Sequence, residues 1–134
     1  MASPGTPASS STWADVARYA RAPLSAQPAK PLPSDAGRRL MTNANEVPTQ
    51  RPETPFVRRS LGWDMVSADS INRPTTFSDK AFGHSGFSET SLWIDSEQDR
   101  FIAFLSDRVH STGKGLSNPT AAFVGDAASA ALTR

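Results

Sequence analysis

Phe82-Gly83-His84-Ser85-Gly86-Phe87, followed at once by Ser91-Leu92-Trp93-Ile94-Asp95 and Phe101-Ile102-Ala103-Phe104-Leu105, is the stretch on which the fold turns. It predicts a short, glycine-flanked polar strand over 82–87 that leads into two strongly apolar strands, over 89–95 and 100–106. Ser96-Glu97-Gln98-Asp99 is a short connection, so the last two form an antiparallel hairpin. Leu92 and Ile94 share one face of their strand and Trp93 takes the other. The strand over 100–106 does not alternate, so both its faces are expected to be covered. A histidine-serine pair between two glycines suits a place where backbone approaches a ligand closely. The same spacing also suits a tight turn into a strand with no chemistry.

Downstream, residues 108–117 read as a loop with Gly113 and Gly115. Asn118-Pro119 is a helix start, because asparagine caps and proline's missing N–H costs nothing at the first position. The helix runs to about Leu132, with Val124, Ala128 and Ala131 on one stripe and Phe123, Ala127 and Ala130 on the adjacent one. Alanine would let it sit close on a sheet.

Upstream, Leu61–Val66 predicts a strand with Trp63 and Met65 on one face, and 67–80 a polar loop. Residues 1–10 hold nothing to bury and are expected to be disordered. A short helix is expected over 11–22, capped by Ser11 or Thr12, with Asp15 in its first turn and Pro23 stopping it. Its apolar face is Trp13, Val16, Ala17 and Ala20, with Tyr19 beside it. A second short helix is expected over Asp35–Thr42, with Leu40 and Met41 inward. The region 23–60 is otherwise a proline-rich loop region, with Pro48, Pro52 and Pro55 expected to prevent regular structure over 43–60. Domain organisation follows: a disordered 1–10, then one unit over 11–134 whose sheet and terminal helix occupy 61–134.

Composition agrees with a core drawn from the second half. Ten of the 11 prolines lie at or before Pro74, and nine of the 11 aromatic residues lie from Phe56 onward. Net charge is +1, with eight basic against four acidic residues in 1–60 and six against nine in 61–134. The basic residues are scattered among prolines without aromatic interleaving, which argues against a nucleic-acid partner. The absence of cysteine removes disulfides, thiolate catalysis and thiolate metal sites. His84 and His110 are the only histidines and neither has a carboxylate at ligand spacing, so no metal site and no cofactor is expected. No apolar run reaches the length of a membrane span, and Met1-Ala2-Ser3-Pro4-Gly5 lacks the basic and apolar regions of a secretory signal. The compartment stays open.

The order of these segments resembles the C-terminal part of class C β-lactamase-like serine hydrolases, a family of β-lactamases, D-Ala-D-Ala carboxypeptidases and esterases. Phe82–Phe87 and Thr90–Asp95 resemble its Gly-His-Thr-Gly strand and the apolar strand after it. Leu105-Ser106-Asp107-Arg108 resembles its Leu-Thr-Asn-Arg, and Leu61-Gly62-Trp63 its Gly-Leu-Gly-Trp. Ser11-Thr12 with Asp15–Tyr19 resembles its Ser-Thr-…-Asp-Leu-Ala-Arg-Phe helix. The resemblance spans Ser11 to Leu132 and implies an α+β fold: a partial β-lactamase/transpeptidase-like domain with an antiparallel sheet of three or four strands and a C-terminal helix packed on it. It implies that His84, Ser85 and Gly86 stand for the Lys-Thr-Gly box, on an edge strand, as a substrate-binding wall. The Phe87 backbone N–H would be one of two oxyanion donors. Histidine in place of lysine exchanges a permanent charge for one that titrates near neutrality, which leans toward ester or amide substrates rather than a β-lactam carboxylate.

The family's nucleophilic serine, in Ser-x-x-Lys at a helix start, and its tyrosine have no match in their expected places. Tyr19, the only tyrosine, is followed by Ala20-Arg21. Ser111-Thr112-Gly113-Lys114 fits Ser-x-x-Lys but lies in a glycine-rich loop. No catalytic residue is therefore assigned within the chain. It is expected to be a C-terminal segment that is inactive alone, completed by an N-terminal half or by a homo-oligomer. The alternative is a non-catalytic module that docks on a partner through an apolar patch around Trp93 and Phe104. Asp95 and Arg100 are expected to form a surface pair across their turn.

Overall fold

A computed structural model describes residues 11–24, 35–107 and 118–132. Its centre is a six-stranded antiparallel sheet in which each strand pairs with the next in chain order. The strands are β1 (Asn45–Pro48), β2 (Phe56–Ser60), β3 (Trp63–Asp64), β4 (Phe82–Ser85), β5 (Ser91–Asp95) and β6 (Arg100–Phe104). Helix α1 (Trp13–Arg21), continued by a 3₁₀ turn over Ala22–Leu24, and helix α2 (Asp35–Thr42) lie on one face. The 72–81 segment and helix α3 (Asn118–Leu132) lie on the other. The α+β class stands, with two more strands than the sequence predicts.

The extra strands come from the proline-rich region. Residues 45–48 and 56–60 form a hairpin in register Asn45↔Arg59 to Pro48↔Phe56, where the sequence predicts only loop. The prolines permit it through their positions. Pro48 ends an edge strand, where its missing N–H breaks no ladder, and Pro52 and Pro55 fall in the connection, closed by Thr49 N–H donating to the Pro55 carbonyl at 2.8 Å. An Arg51–Asp69 ion pair ties this connection to the loop after β3.

Alternation along β5 divides the core in two. Ile94, with Phe82, Met65 and Ala20, forms one buried cluster, against which Met41, Trp63, Leu92 and Phe101 pack. Trp93, with Phe77 and Ala81, forms the other, backed by Ile102. Thr12 caps α1 by accepting from Asp15 N–H at 3.2 Å. In α2 Met41 packs on the first cluster, whereas Leu40 is 54% exposed because its side chain points away from the cluster its neighbour joins. Pro23 does not end the helical path at once: it is accommodated in the 3₁₀ turn that carries Leu24 into the core.

Two glycines set the distances between layers. Gly83 pairs with Trp93, and a Cβ there would run into the Leu92 carbonyl oxygen and the Trp93 indole. Gly125 of α3 lies where a Cβ would come 3.1 Å from Ile102 Cδ1 and within contact of the Pro74 ring. α3 therefore seats Ala121, Gly125 and Ser129, one residue per turn, and not the larger apolar stripes the sequence favours. Phe123 is 73% exposed and Leu132 79%. Asp126 fixes the choice: its carboxylate accepts from Thr76 N–H (2.9 Å), Thr76 Oγ1 (2.8 Å) and Thr75 Oγ1 (2.8 Å).

Asp95 is wholly buried and is not a surface partner of Arg100. Its carboxylate accepts from Ser78 N–H (2.7 Å), Ser78 Oγ (2.8 Å), Glu97 N–H (3.1 Å) and Gln98 N–H (3.3 Å). Four donors offset the cost of a buried carboxylate. Arg100 turns instead to the Thr76 carbonyl and lies 4.7 Å from the Phe77 ring centroid.

Substituting Gly83 by alanine overpacks the β4–β5 contact and lowers stability by about 1–3 kcal/mol, read as a shift of the urea midpoint. Burial pushes the Asp126 carboxyl up, but the hydrogen bonds from Thr76 and Thr75 outweigh it and hold the group below the ordinary value of 3.8. The docking of α3 is thus strongest above that value and weakens as pH falls below it. Amide-exchange protection factors across 121–129, taken relative to the intrinsic rate at each pH, should fall on acidification in the native chain, and much less in Asp126→Asn.

Candidate functional site

The polar end of β4 lies on the α1 side of the sheet. His84 pairs with Leu92 and Ser85 with Ser91. Pairing of β4 with β3 is confined to Asp64↔Gly83. β4 is therefore an interior strand, not the edge the resemblance implies; β1 and β6 are the edges. The reason is that β3, within the strand expected over 61–66, pairs with β4, and the unforeseen β1–β2 hairpin extends the sheet beyond it.

After Ser85 the chain turns through Gly86–Thr90. Gly86 N–H donates to the Thr90 carbonyl at 2.9 Å, and Glu89 N–H to the Gly86 carbonyl at 2.8 Å. Glu89 adopts a left-handed φ of 65° and is buried. This turn is pinned to the end of β6. Thr90 Oγ1 donates to the Ser106 carbonyl at 2.8 Å, and Ser106 Oγ to the Ser88 carbonyl at 2.9 Å. Phe87, at its tip, is 80% exposed. His84 is exposed and Ser85 half-buried. His84 Nδ1 lies 2.6 Å from the Ser85 carbonyl oxygen.

Beneath these residues is a recess of about 240 Å³. α1 contributes Val16, β3 Trp63, β5 Leu92 and Ser91, and β6 with its continuation Ala103 and Leu105; His84, Ser85, Gly86 and Thr90 line its polar side. Trp63 is held between Tyr19 (centroids 6.2 Å, stacked) and Phe82 (5.7 Å, edge-on). A larger hollow of about 450 Å³, at the opposite end of β5 and β6, is lined by Arg21, Leu24, Asp99, Arg100, Phe101 and Leu132 and contains none of the motif residues.

The sequence brings His84, Ser85, Gly86 and Phe87 together by adjacency alone. The apolar lining was not foreseen as a site, because Val16, Trp63 and Ala103 are far apart in the chain and each reads as core. Burial pushes the Tyr19 phenol up, opposite to what a proton-accepting tyrosine needs near neutral pH. Lys80, the one lysine among the described residues, pairs with Glu97 at 2.9 Å. No serine–lysine pair is therefore present among the described residues. Ser111–Lys114, Arg108 and His110 lie outside them. Among the described residues no three His, Cys, Asp or Glu side chains converge as a metal site requires, and no helix is long and apolar enough to cross a membrane.

An antiparallel sheet between helices, with a glycine-bounded His-Ser strand end over an apolar recess, defines an α+β domain with a candidate ligand wall. The Beta-lactamase family model matches residues 3–127, and the chain belongs to that family. No curated protein and no solved structure matches it.

His84→Ala and Ser85→Ala should each move stability by no more than about 0.5 kcal/mol, since neither side chain is fully buried. Urea denaturation beside Gly83→Ala separates residues that hold the fold from those that face solvent.

Proposed function

We propose that this chain forms the substrate-facing wall of a serine hydrolase acting on ester or amide bonds, β-lactams and peptides among them, and has no turnover alone. The observation that carries this is the position of His84-Ser85-Gly86, at a strand end beside a pinned turn and over a recess, in a chain of the beta-lactamase family. In this role His84 and Ser85 contact the substrate. The Phe87 backbone N–H donates to the carbonyl oxygen as negative charge develops on it, and loss of one such donor costs roughly a hundred- to a thousandfold in rate. The nucleophilic serine with its lysine, and the assisting tyrosine, come from outside these 134 residues. An N-terminal half, supplied in the same or another chain, completes the domain.

A second reading, a non-catalytic module docked on a partner, draws on two surfaces. β6 is an edge strand whose five residues are all only half-buried, and α3 turns Phe123, Val124 and Leu132 outward. Trp93 belongs to neither surface: it is 1% exposed, so the patch expected around it does not exist. Phe104 is half-buried on β6.

The purified chain should give no saturable hydrolysis of p-nitrophenyl esters or nitrocefin, and Ser111→Ala should change nothing. Saturable turnover abolished by that substitution would overturn the proposal. Sedimentation across a concentration series distinguishes the second reading, which expects association without turnover even when an N-terminal half is added.

A further inference from the structure

Helix α3 is held in one rotation. Ala121, Gly125 and Ser129 face the sheet, and Asp126 locks that choice by accepting from Thr76 N–H and from the hydroxyls of Thr75 and Thr76. The stripe expected to pack on the sheet therefore points the other way: Phe123, Val124, Ala127, Ala130 and Ala131 are all exposed. Asp126 is the one charged residue between 118 and 132, and it is engaged on the sheet side. The outward positions 120, 123 and 124, 127, 130 and 131 recur at the three- and four-residue steps of a helix–helix seam. A solvated helix carries polar residues on its outer face, and one that is apolar all round is normally covered all round. With 15 residues α3 is too short to cross a bilayer, and it lacks the basic face of a helix that lies in a membrane surface.

We propose that this face binds the same face of a second copy of the chain, the two α3 helices packing antiparallel about a twofold axis at Ala127. The stripe is large at its N-terminal end and small at its C-terminal end. Turned end for end about Ala127, it sets Phe123 of each copy against Ala131 of the other, and Val124 against Ala130. A parallel pair would set Phe123 on Phe123 at one end and alanine on alanine at the other, and the two ends would need different spacings. Alanine at 127 lets the helix axes approach to about 8 Å. The antiparallel arrangement also brings each helix's positive N-terminal end beside the other's negative C-terminal end. The exposed area of these side chains is roughly 400–500 Å² per copy, about 800–1,000 Å² in all, which lies at the low end for specific association and fits a reversible pair. The proposal rests on the second reading above, docking on a partner, and deepens it by naming that partner as this chain. It does not draw on the recess, which lies on the opposite face of the sheet.

The 134-residue chain holds no cysteine, so single cysteine substitutions report on the pairing. Ala127→Cys should give a disulfide-linked dimer on mild oxidation, because residue 127 meets its own copy at the axis. Thr120→Cys should not, because antiparallel helices hold the two 120 positions about 21 Å apart and a disulfide needs Cα atoms within about 7 Å. In sedimentation the unchanged chain should pass from monomer to dimer as its concentration rises. Ala127→Glu and Ala127→Lys, both at an exposed position, should each stay monomeric alone and pair when mixed, since like charges meet at the axis in the first case and opposite charges in the second. Any other cross-linking pattern, or association that survives Ala127→Glu, would overturn the proposal. Surviving association keeps the docking reading and moves it to another surface such as β6. A chain monomeric at every concentration loses both, and leaves the face to an N-terminal half. The hydrolase reading is judged apart from either result, by turnover once that half is added.

Discussion

The contact between Gly83 and the Trp93 indole is the constraint on which the rest depends. With no Cβ on Gly83, the indole closes against β4 and the two central strands reach ladder distance. Pleating then assigns every neighbour. Phe82 and His84 go to the α1 face, while Gly83 faces Trp93 and the α3 side. The strand end that carries the candidate site residues is thus oriented by a packing contact on the opposite face. Trp93 is itself held from behind, its Nε1–H donating to Asn72 Oδ1 at 3.3 Å, in a segment that Arg73 organises by donating to the Pro74, Phe77 and Ser78 carbonyls. Burial pushes the Arg73 guanidinium down, and these carbonyls, with Asp79 and Asp95 nearby, accommodate its charge.

A hydrophobic pattern was enough to place the central elements. β5 and β6 are apolar and separated by a four-residue polar turn, α3 begins at Asn118-Pro119 as its sequence signals, and Leu92, Trp93 and Ile94 alternate as burial requires. The β1–β2 hairpin was hidden because proline reads as a breaker until its neighbours are known: on an edge strand or in a turn, the lost N–H costs nothing. The buried stripe of α3 was hidden for a different reason. The helix is apolar nearly all round, so no amphipathic signal chooses a face. The choice is made by a glycine that permits contact and an aspartate that meets two threonines fifty residues earlier.

The candidate site divides along the same line. Its polar rim was legible because His84, Ser85 and Gly86 are consecutive and resemble a known motif. Its apolar wall was not, since Val16, Trp63, Leu92 and Ala103 acquire a common meaning only when α1 crosses the sheet. Asp95 shows how local spacing misleads. Opposite an arginine across a short turn, it reads as half of an exposed ion pair, yet its carboxylate gathers backbone and hydroxyl donors from two segments and lies at the bottom of the second core.

The chain-order pairing of the six strands bears on how the domain assembles. Every ladder joins neighbours in the sequence, without a crossover or a threaded connection, so the sheet can grow hairpin by hairpin at low contact order. The costly long closures are left to α1 and α3, which settle on a surface already formed. A sheet built this way owes none of its ladders to elements elsewhere. During synthesis each hairpin can pair as soon as its second strand has emerged.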